Sequence, residues 1–514
     1  MTSVLSNNKR IAKNTLLLYF RMMITMLIGL YTSRVVLNTL GIEDFGIYNV
    51  VGGVIAMFAF VNGAMANATS RYLTIELGRE NWQRLKSTFS TALTIHAMIA
   101  LLIIILGETI GLWFLLNKMI IPDARLEAAM WVYQLSIVSM AVSIMSVPFN
   151  ASIISHEKMS AFAYITIFDV IMKLLIVFLL LFIPYDKLKV HAILLFLTQL
   201  LNQLIYMIYC KRNFYETSFR PKIDKSLFKE ISVFAGWNLY GNLSYITYSQ
   251  GVNILLNVFF GPAINAARGI AVQVQSMIYS FVSNFQTALN PQITKSYANG
   301  NVVYMNQLIV MGSKFSFYLL LLIAIPLMIE APYILRLWLV QVPEHAVSFF
   351  RILVLINLTD ALSTPVAISI QATGQIKTPQ LITGSILMAI LPVSYVALKM
   401  GAPAEAVFVI HLVSAIAAQI SRIILLSHRI TFSIRNYLKD VISPILFVLV
   451  VVCAISIAIY HYCYTENIWS MIMVCIATIC INIIIFYSLG LNSNERRFIR
   501  EKFVSFKKKI GLNS

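Results

Sequence analysis

Long apolar stretches separated by short polar ones dominate this chain. Fourteen of them approach the roughly 20 residues that a helix needs to cross the hydrocarbon of a bilayer. None shows the short apolar–polar alternation of a transmembrane barrel. The pattern predicts an all-α polytopic membrane protein of about fourteen transmembrane helices. The seventh stretch (231–260) and the eighth (269–290) are the least apolar. The largest polar segment, 211–230, carries six basic residues and one proline. It reads as a basic cytoplasmic linker between an N-terminal six-helix lobe (1–210) and a C-terminal six-helix lobe (231–427). Two additional helices (428–490) and a basic tail (491–514) follow.

Composition agrees with that picture. Of 514 residues, 59% are hydrophobic and 12% charged, against roughly 25% charged in soluble domains. This excludes a soluble enzyme and a disordered protein. The formal net charge is +18, from 39 Lys and Arg against 21 Asp and Glu. In a soluble chain such a surplus would suggest nucleic acid. Here 27 of the basic residues fall on the side of the N-terminus, 6 on the opposite side and 6 within spans. By the positive-inside rule both termini are expected in the cytoplasm and no nucleic-acid partner is expected. The start, MTSVLSNNKRIAK, runs into a full-length span without a small-residue cleavage site, so no signal peptide is expected. Five cysteines lie in or beside apolar runs and suggest neither a metal site nor a disulfide framework.

An internal echo sharpens the layout. SRYLTIELGRENWQRLKSTFSTAL (70–93) follows the second span, and PQITKSYANGNVVYMNQLIVMGSK (291–314) follows the eighth. Each passes a glycine, Gly78 or Gly300, and re-enters an apolar helix. Two six-span lobes in parallel repeat around a central cavity are the expected architecture, as in some transporters.

Charges inside spans cost about 2.5–3.5 kcal/mol each at a helix centre, so they are the first functional candidates. Asp169 and Lys173 stand four apart on one helical face, a spacing that favours an ion pair. They form either a self-neutralising structural pair or a charged patch in a transport cavity. Arg34 either reaches the head groups or grips an anionic group with its fork of donors. Arg268 holds the roughly corresponding place in the second repeat. Asn238, Asn242, Tyr245, Ser249, Asn253 and Asn257 form one polar stripe along the seventh span, at spacings of three and four. Gln273, Ser276, Ser280, Ser283, Thr287 and Asn290 continue the idea in the eighth. Such stripes serve as hydrogen-bond glue between helices or line a wet cleft suited to sugar. Prolines 148, 326, 365 and 392 predict kinks, structural or hinge-like. There is no Ser-His-Asp set, no Gly-rich phosphate loop and no metal motif, and no cofactor is expected.

Two segments carry a family resemblance. SRVVLNTLGIEDFGIYNVVGGV (33–54) resembles the first-helix signature of polysaccharide flippases: Ser-Arg, a short apolar run, Leu-Gly, two acids, then aromatic-Gly-x-Tyr. GPAINAARGIAVQVQSMIYSFVSNFQTALNPQITKSYANGN (261–301) is similar to the matching segment of the second lobe. The family is that of O-antigen and capsule flippases, within the superfamily of MATE drug extruders and lipid II flippases. The resemblance implies alternating access in the bacterial inner membrane and a substrate of undecaprenyl-pyrophosphate-linked oligosaccharide. It implies Arg34, and more weakly Arg268, as cationic positions for pyrophosphate. Coupling to a proton or sodium gradient or to the membrane potential is the expected energy source, and membrane lipids and polysaccharide polymerase machinery are the expected partners. A cation-coupled drug extruder is the alternative function, although in-span bases equal or outnumber acids. A polysaccharide polymerase or glycosyltransferase fits less well, because the loops opposite the termini are too short for sugar-transfer chemistry.

Overall fold

In the computed structural model of the chain, the described residues are 59–118, 121–218, 224–338, 342–463 and 467–492. Residues 14–29, isolated positions between 31 and 51, and 465, 495 and 496 are also described. They are helical almost throughout. In order, the helices are α1 (Asn14–Gly29), α2 (Ala59–Gly78), α3 (Trp82–Leu106, continuing to Lys118), α4 (Leu126–Ser155), α5 (Met159–Phe182) and α6 (Lys187–Asn213). Then come α7 (Lys225–Phe260), α8 (Pro262–Ala298), α9 (Val302–Ile329), a short α10 (Ala331–Trp338) and α11 (Ala346–Thr373). The last are α12 (Lys377–Lys399), α13 (Glu405–Ser427), α14 (Ser443–Cys463) and α15 (Ile468–Ile485). They follow the fourteen apolar stretches in order, with α9 and α10 sharing the ninth. Among the described residues ten helices are long and apolar enough to cross a membrane; α2, α7 and α8 are not among these, because polar residues interrupt them. The chain is a multi-pass membrane protein. Helices run through Pro148, Pro365 and Pro392, whereas α9 stops at Ile329, three residues past Pro326.

The chain forms two compact units. The first holds Met1–Ile246, Thr287–Met305 and Ile368–Gly384; the second holds Thr247–Gln286, Asn306–Ala367 and Ser385–Ser514. Unit 1 therefore contains the expected N-terminal lobe and linker together with the start of α7 and the segments around the α8–α9 and α11–α12 turns. One apolar cluster in it joins α3, α4 and α6 around Val132, Tyr133 and Ile137.

The sequence echo has a structural counterpart in unit 1. At the α2–α3 turn Arg79, Glu80 and Asn81 donate backbone N–H bonds to the carbonyls of Ile75, Leu77 and Glu76. At the α8–α9 turn Asn299, Gly300 and Asn301 donate to Lys295, Tyr297 and Ser296. Every residue of the second turn stands 220 beyond its counterpart in the first. Asn81 and Asn301 then cap α3 and α9, accepting from Arg84 N and Tyr304 N at 3.0 and 3.1 Å. The left-handed position is Glu80 (φ 55) in one turn and Gly300 (φ 69) in the other. Gly300 thus corresponds to Glu80 and not to Gly78, as the glycine echo suggested. Gly78 corresponds to Ala298, and the two pack together: a Cβ on Gly78 would lie 2.9 Å from the Ala298 Cβ. The α4–α5 and α11–α12 turns share a further likeness, with Glu157 (φ 58) and Gly374 (φ 81) left-handed.

At another turn Arg125 clamps two acids. Its Nε donates to Asp44 at 2.8 Å and its Nη1 to Asp186 at 2.8 Å. Asp44 is the second acid of the LGIEDFG segment, so this signature residue has a structural role. Asp186 also caps α6, accepting from Leu188 N and Lys189 N at 3.0 and 3.2 Å. Partial burial opposes ionisation of Asp186, but the Lys189 N–H and the Arg125 guanidinium outweigh it and hold the carboxyl below the usual carboxylate range. A depressed carboxyl contributes stability above its unfolded pKa and loses it as pH falls through the folded value. Asp186→Asn is therefore expected to lower stability by roughly 1 kcal/mol at neutral pH. Melting curves recorded from neutral to acid pH should show the gap to wild type closing; a gap independent of pH would show that the charge is irrelevant.

Candidate functional site

Helix α4 turns three serines, Ser136, Ser139 and Ser143, to one face by their spacings of three and four. With Tyr48, Lys173 of α5 and Gln199 of α6 they line a cavity of about 320 Å³ within unit 1. Ligand pockets start at about 300 Å³, so this space is at the lower end of that range. Apolar Leu135, Met140, Ala192 and Leu195 complete the wall. Lys173 Nζ donates to Asp169 Oδ2 at 2.7 Å, and Asn202 Nδ2 donates to the other carboxylate oxygen at 2.6 Å. Lys173 keeps 46% of its side chain exposed and Asp169 keeps 23%. The pair neutralises itself, and Lys173 lines the cavity as well. Behind it Tyr48 meets His191 edge-on at 5.2 Å between centroids. Sequence reasoning missed the α4 serines, Gln199 and Asn202, although the serines carry the same three-and-four signal that exposed the stripe in the seventh span.

That stripe divides between the two units. In unit 1, Asn238 is buried; its Nδ2 donates to Phe234 O and its Oδ1 accepts from Gln380 Nε2, both at 3.2 Å. Its amide is spent joining helices. Asn242 is half-buried, with its Nδ2 beside Gly63, and Tyr245 is exposed. In unit 2 the stripe holds an arginine. Arg268 Nη1 donates to Asn253 Oδ1 at 3.2 Å, and Nη2 donates to Ser249 O at 2.9 Å. Gln273 is exposed. Ser280 is half-buried, and its hydroxyl donates to Met277 O at 2.6 Å. Arg34 lies outside the described residues.

Five ionic residues that the charge pattern assigned to loops, or passed over, belong to helix packing. Arg71 lies within α2. Its Nε and Nη2 donate to the carbonyls of Gln371 and Ala372 at the end of α11, where the helix dipole favours a cation. Its guanidinium also covers the Tyr72 and Phe234 rings. Glu157, with its carboxylate buried, accepts from Lys295 Nζ at 2.7 Å and from Gln292 Nε2 at 2.5 Å. Lys314 lies in α9 and is buried against Glu495 at 2.9 Å. A second cavity in unit 1, about 230 Å³, runs beside Arg71 between Asn67, Ser70, Asn290 and Thr294. In unit 2, Asp360 of α11 and Arg422 of α13 interact electrostatically.

Comparison with solved structures places the fold. A multidrug resistance MATE family transporter of the MOP superfamily, outward-facing, matches with a TM-score of 0.72 at 14% identity, covering 83% of this chain and 96% of that one. A MATE structure in a bent conformation matches at 0.70 and 15% identity, with the same coverage. A MOP superfamily transporter from Pyrococcus furiosus matches at 0.65 and 14% identity, covering 82% and 96%. At such identities the likeness is one of fold. None of the curated proteins compared with the chain matches it. The model of a family described as polysaccharide biosynthesis protein matches residues 11–297. That stretch takes in both signature segments almost whole and the cavity at Lys173. On more than half its length, the chain belongs to the polysaccharide biosynthesis protein family of membrane transporters.

Proposed function

We propose that the chain flips an undecaprenyl-pyrophosphate-linked oligosaccharide from the cytoplasmic to the outer leaflet of the bacterial inner membrane, by alternating access and without covalent chemistry. Both termini lie in the cytoplasm in this reading. The problem is to carry a polar glycan and a charged pyrophosphate across about 30 Å of hydrocarbon. A polar cavity lowers that barrier while the lipid tail stays in the bilayer. The observation that carries the proposal is the cavity at Lys173, where three serines, Tyr48 and Gln199 stand among apolar side chains, in a chain of this family. Neutral donors and acceptors of this kind suit sugar hydroxyls. Arg34 serves the pyrophosphate, whose paired oxygens match a guanidinium fork. Glycan release passes the product to polysaccharide polymerase machinery.

A drug extruder of the MATE type has the same fold and needs a carboxylate free for a cationic drug. Asp169, the acid nearest the cavity, is instead tied to Lys173 and Asn202.

The test is transport of a labelled lipid-linked glycan in proteoliposomes. Lys173→Met removes one hydrogen bond from a charged group, which contributes about 1.5–3 kcal/mol. Uptake at limiting substrate should fall roughly 10- to 100-fold with protein level unchanged. Wild-type uptake in Lys173→Met would remove the cavity from the pathway. Export of a cationic dye by the wild type, with no glycan movement, would establish the extruder instead.

A further inference from the structure

Unit 2 contains a carboxylate that the transport cavity does not use. Glu330 sits at the junction of α9 and α10 and is 1% exposed. Both of its carboxylate oxygens are buried and have no hydrogen-bond partner. Its backbone is satisfied, with the N–H on Pro326 O at 3.0 Å and the carbonyl accepting from Ile334 N at 2.9 Å, so the side chain alone is stranded. The groups around it do not neutralise it. Arg351 of α11 approaches its neighbour, donating Nε to Met328 O at 3.0 Å, but forms no ion pair with Glu330. Arg336 of α10, one turn and a half further on, forms none with it either. From α15 the titratable group that interacts with it is Cys475, a thiol. Among the described residues no cluster of His, Cys, Asp and Glu offers a metal site here.

An ionised carboxylate buried without a partner costs so much free energy that such groups neutralise instead. Inside a membrane, ionisable residues of this kind mark ion pathways and proton relays. The junction offers a route for exchange. Pro326 removes one α9 hydrogen bond, and α9 bends into α10 at Glu330 itself, so the carboxyl stands at a joint between two helices. We infer that Glu330 is a proton-binding site, a carboxylic acid in the packed state seen here, and that its proton uptake and release couple transport to a pH gradient. The coupling half of this inference rests on the transporter reading above.

Two measurements on the full-length protein in lipid test it. Infrared spectra at neutral pH should show a protonated-carboxyl stretch in wild type that Glu330→Gln lacks and Glu330→Asp retains. Identical bands in wild type and Glu330→Gln would overturn the site. In proteoliposomes, an imposed pH gradient should stimulate glycan transport by wild type. Glu330→Gln, permanently neutral and nearly isosteric, should transport without any stimulation. Stimulation preserved in Glu330→Gln, or a sodium gradient driving wild type in place of the pH gradient, would overturn the coupling. A wild type that moves no glycan under any gradient defeats the flippase reading, while the infrared result still decides the site.

Discussion

Glu495→Ala is expected to cost about 3–5 kcal/mol, the largest loss of any single substitution considered. Removing one member of a buried ion pair leaves the other charge uncompensated, and that range is typical of the result. Lys314 qualifies on every count: its side chain is 2% exposed, that of Glu495 is 5%, and Nζ lies 3.1 and 2.9 Å from the two carboxylate oxygens. In Glu495→Ala the ammonium remains inside α9 with nothing to meet. The double variant Lys314→Met/Glu495→Leu removes both charges, and apolar replacement of a buried pair is often neutral. Melting of the purified protein in detergent should therefore drop sharply in Glu495→Ala and recover most of the loss in the double variant. Equal losses in both would mean that the pair contributes through packing and not charge. Nearby, Tyr318 stacks on Phe486 at 4.8 Å and donates to Gly490 O at 3.3 Å, so the same patch pins the C-terminal helix to α9.

Glu157→Ala is expected to be the second most damaging change, at about 2–4 kcal/mol. It lies below the fully buried limit because Lys295 keeps 23% of its side chain exposed. The carboxylate that accepts from Lys295 and Gln292 disappears. The left-handed φ of 58 costs glutamate and alanine alike about 1–2 kcal/mol, so backbone strain adds nothing to the difference from wild type. Glu157→Gly relieves that strain, since glycine enters the left-handed region freely. Denaturation should show Glu157→Gly more stable than Glu157→Ala by about 1 kcal/mol yet well below wild type. Two variants indistinguishable from each other would remove backbone strain from the account.

The spans were legible because lipid imposes one length and one polarity on every crossing. The site was legible only in part. The Asp169–Lys173 pair announced itself, since both partners sit on one helix. Lys314, Arg71 and Lys295 did not, and near span ends they passed for loop charges that set orientation. Two physical reasons explain this. Helices α8 and α9 run beyond the apolar segments that reveal them, so residues assigned to a loop are helical. The partners also lie far off in sequence: Glu495 is 181 residues from Lys314 and Glu157 is 138 from Lys295. Hydropathy reads the surroundings of a residue along the chain, not across it. Asn238 shows the converse, a stripe residue that looked ready for substrate and is occupied by Gln380.

The contact of Gly78 with Ala298 is one between equivalent positions, and only at a twofold axis does a residue meet its own counterpart. At this end of unit 1 the two equivalent turns meet as the subunits of a twofold dimer would. Lying in one polypeptide frees the two copies to differ, and they have. On one diagonal Glu157 holds Lys295, side chain to side chain. On the other, where Gly374 has no side chain to offer, Arg71 holds the backbone carbonyls of Gln371 and Ala372. The first tie ends on a carboxylate, the second on backbone carbonyls. A half-length chain pairing with itself would have to make both ties alike; the fused chain makes one through a side chain and the other through the backbone.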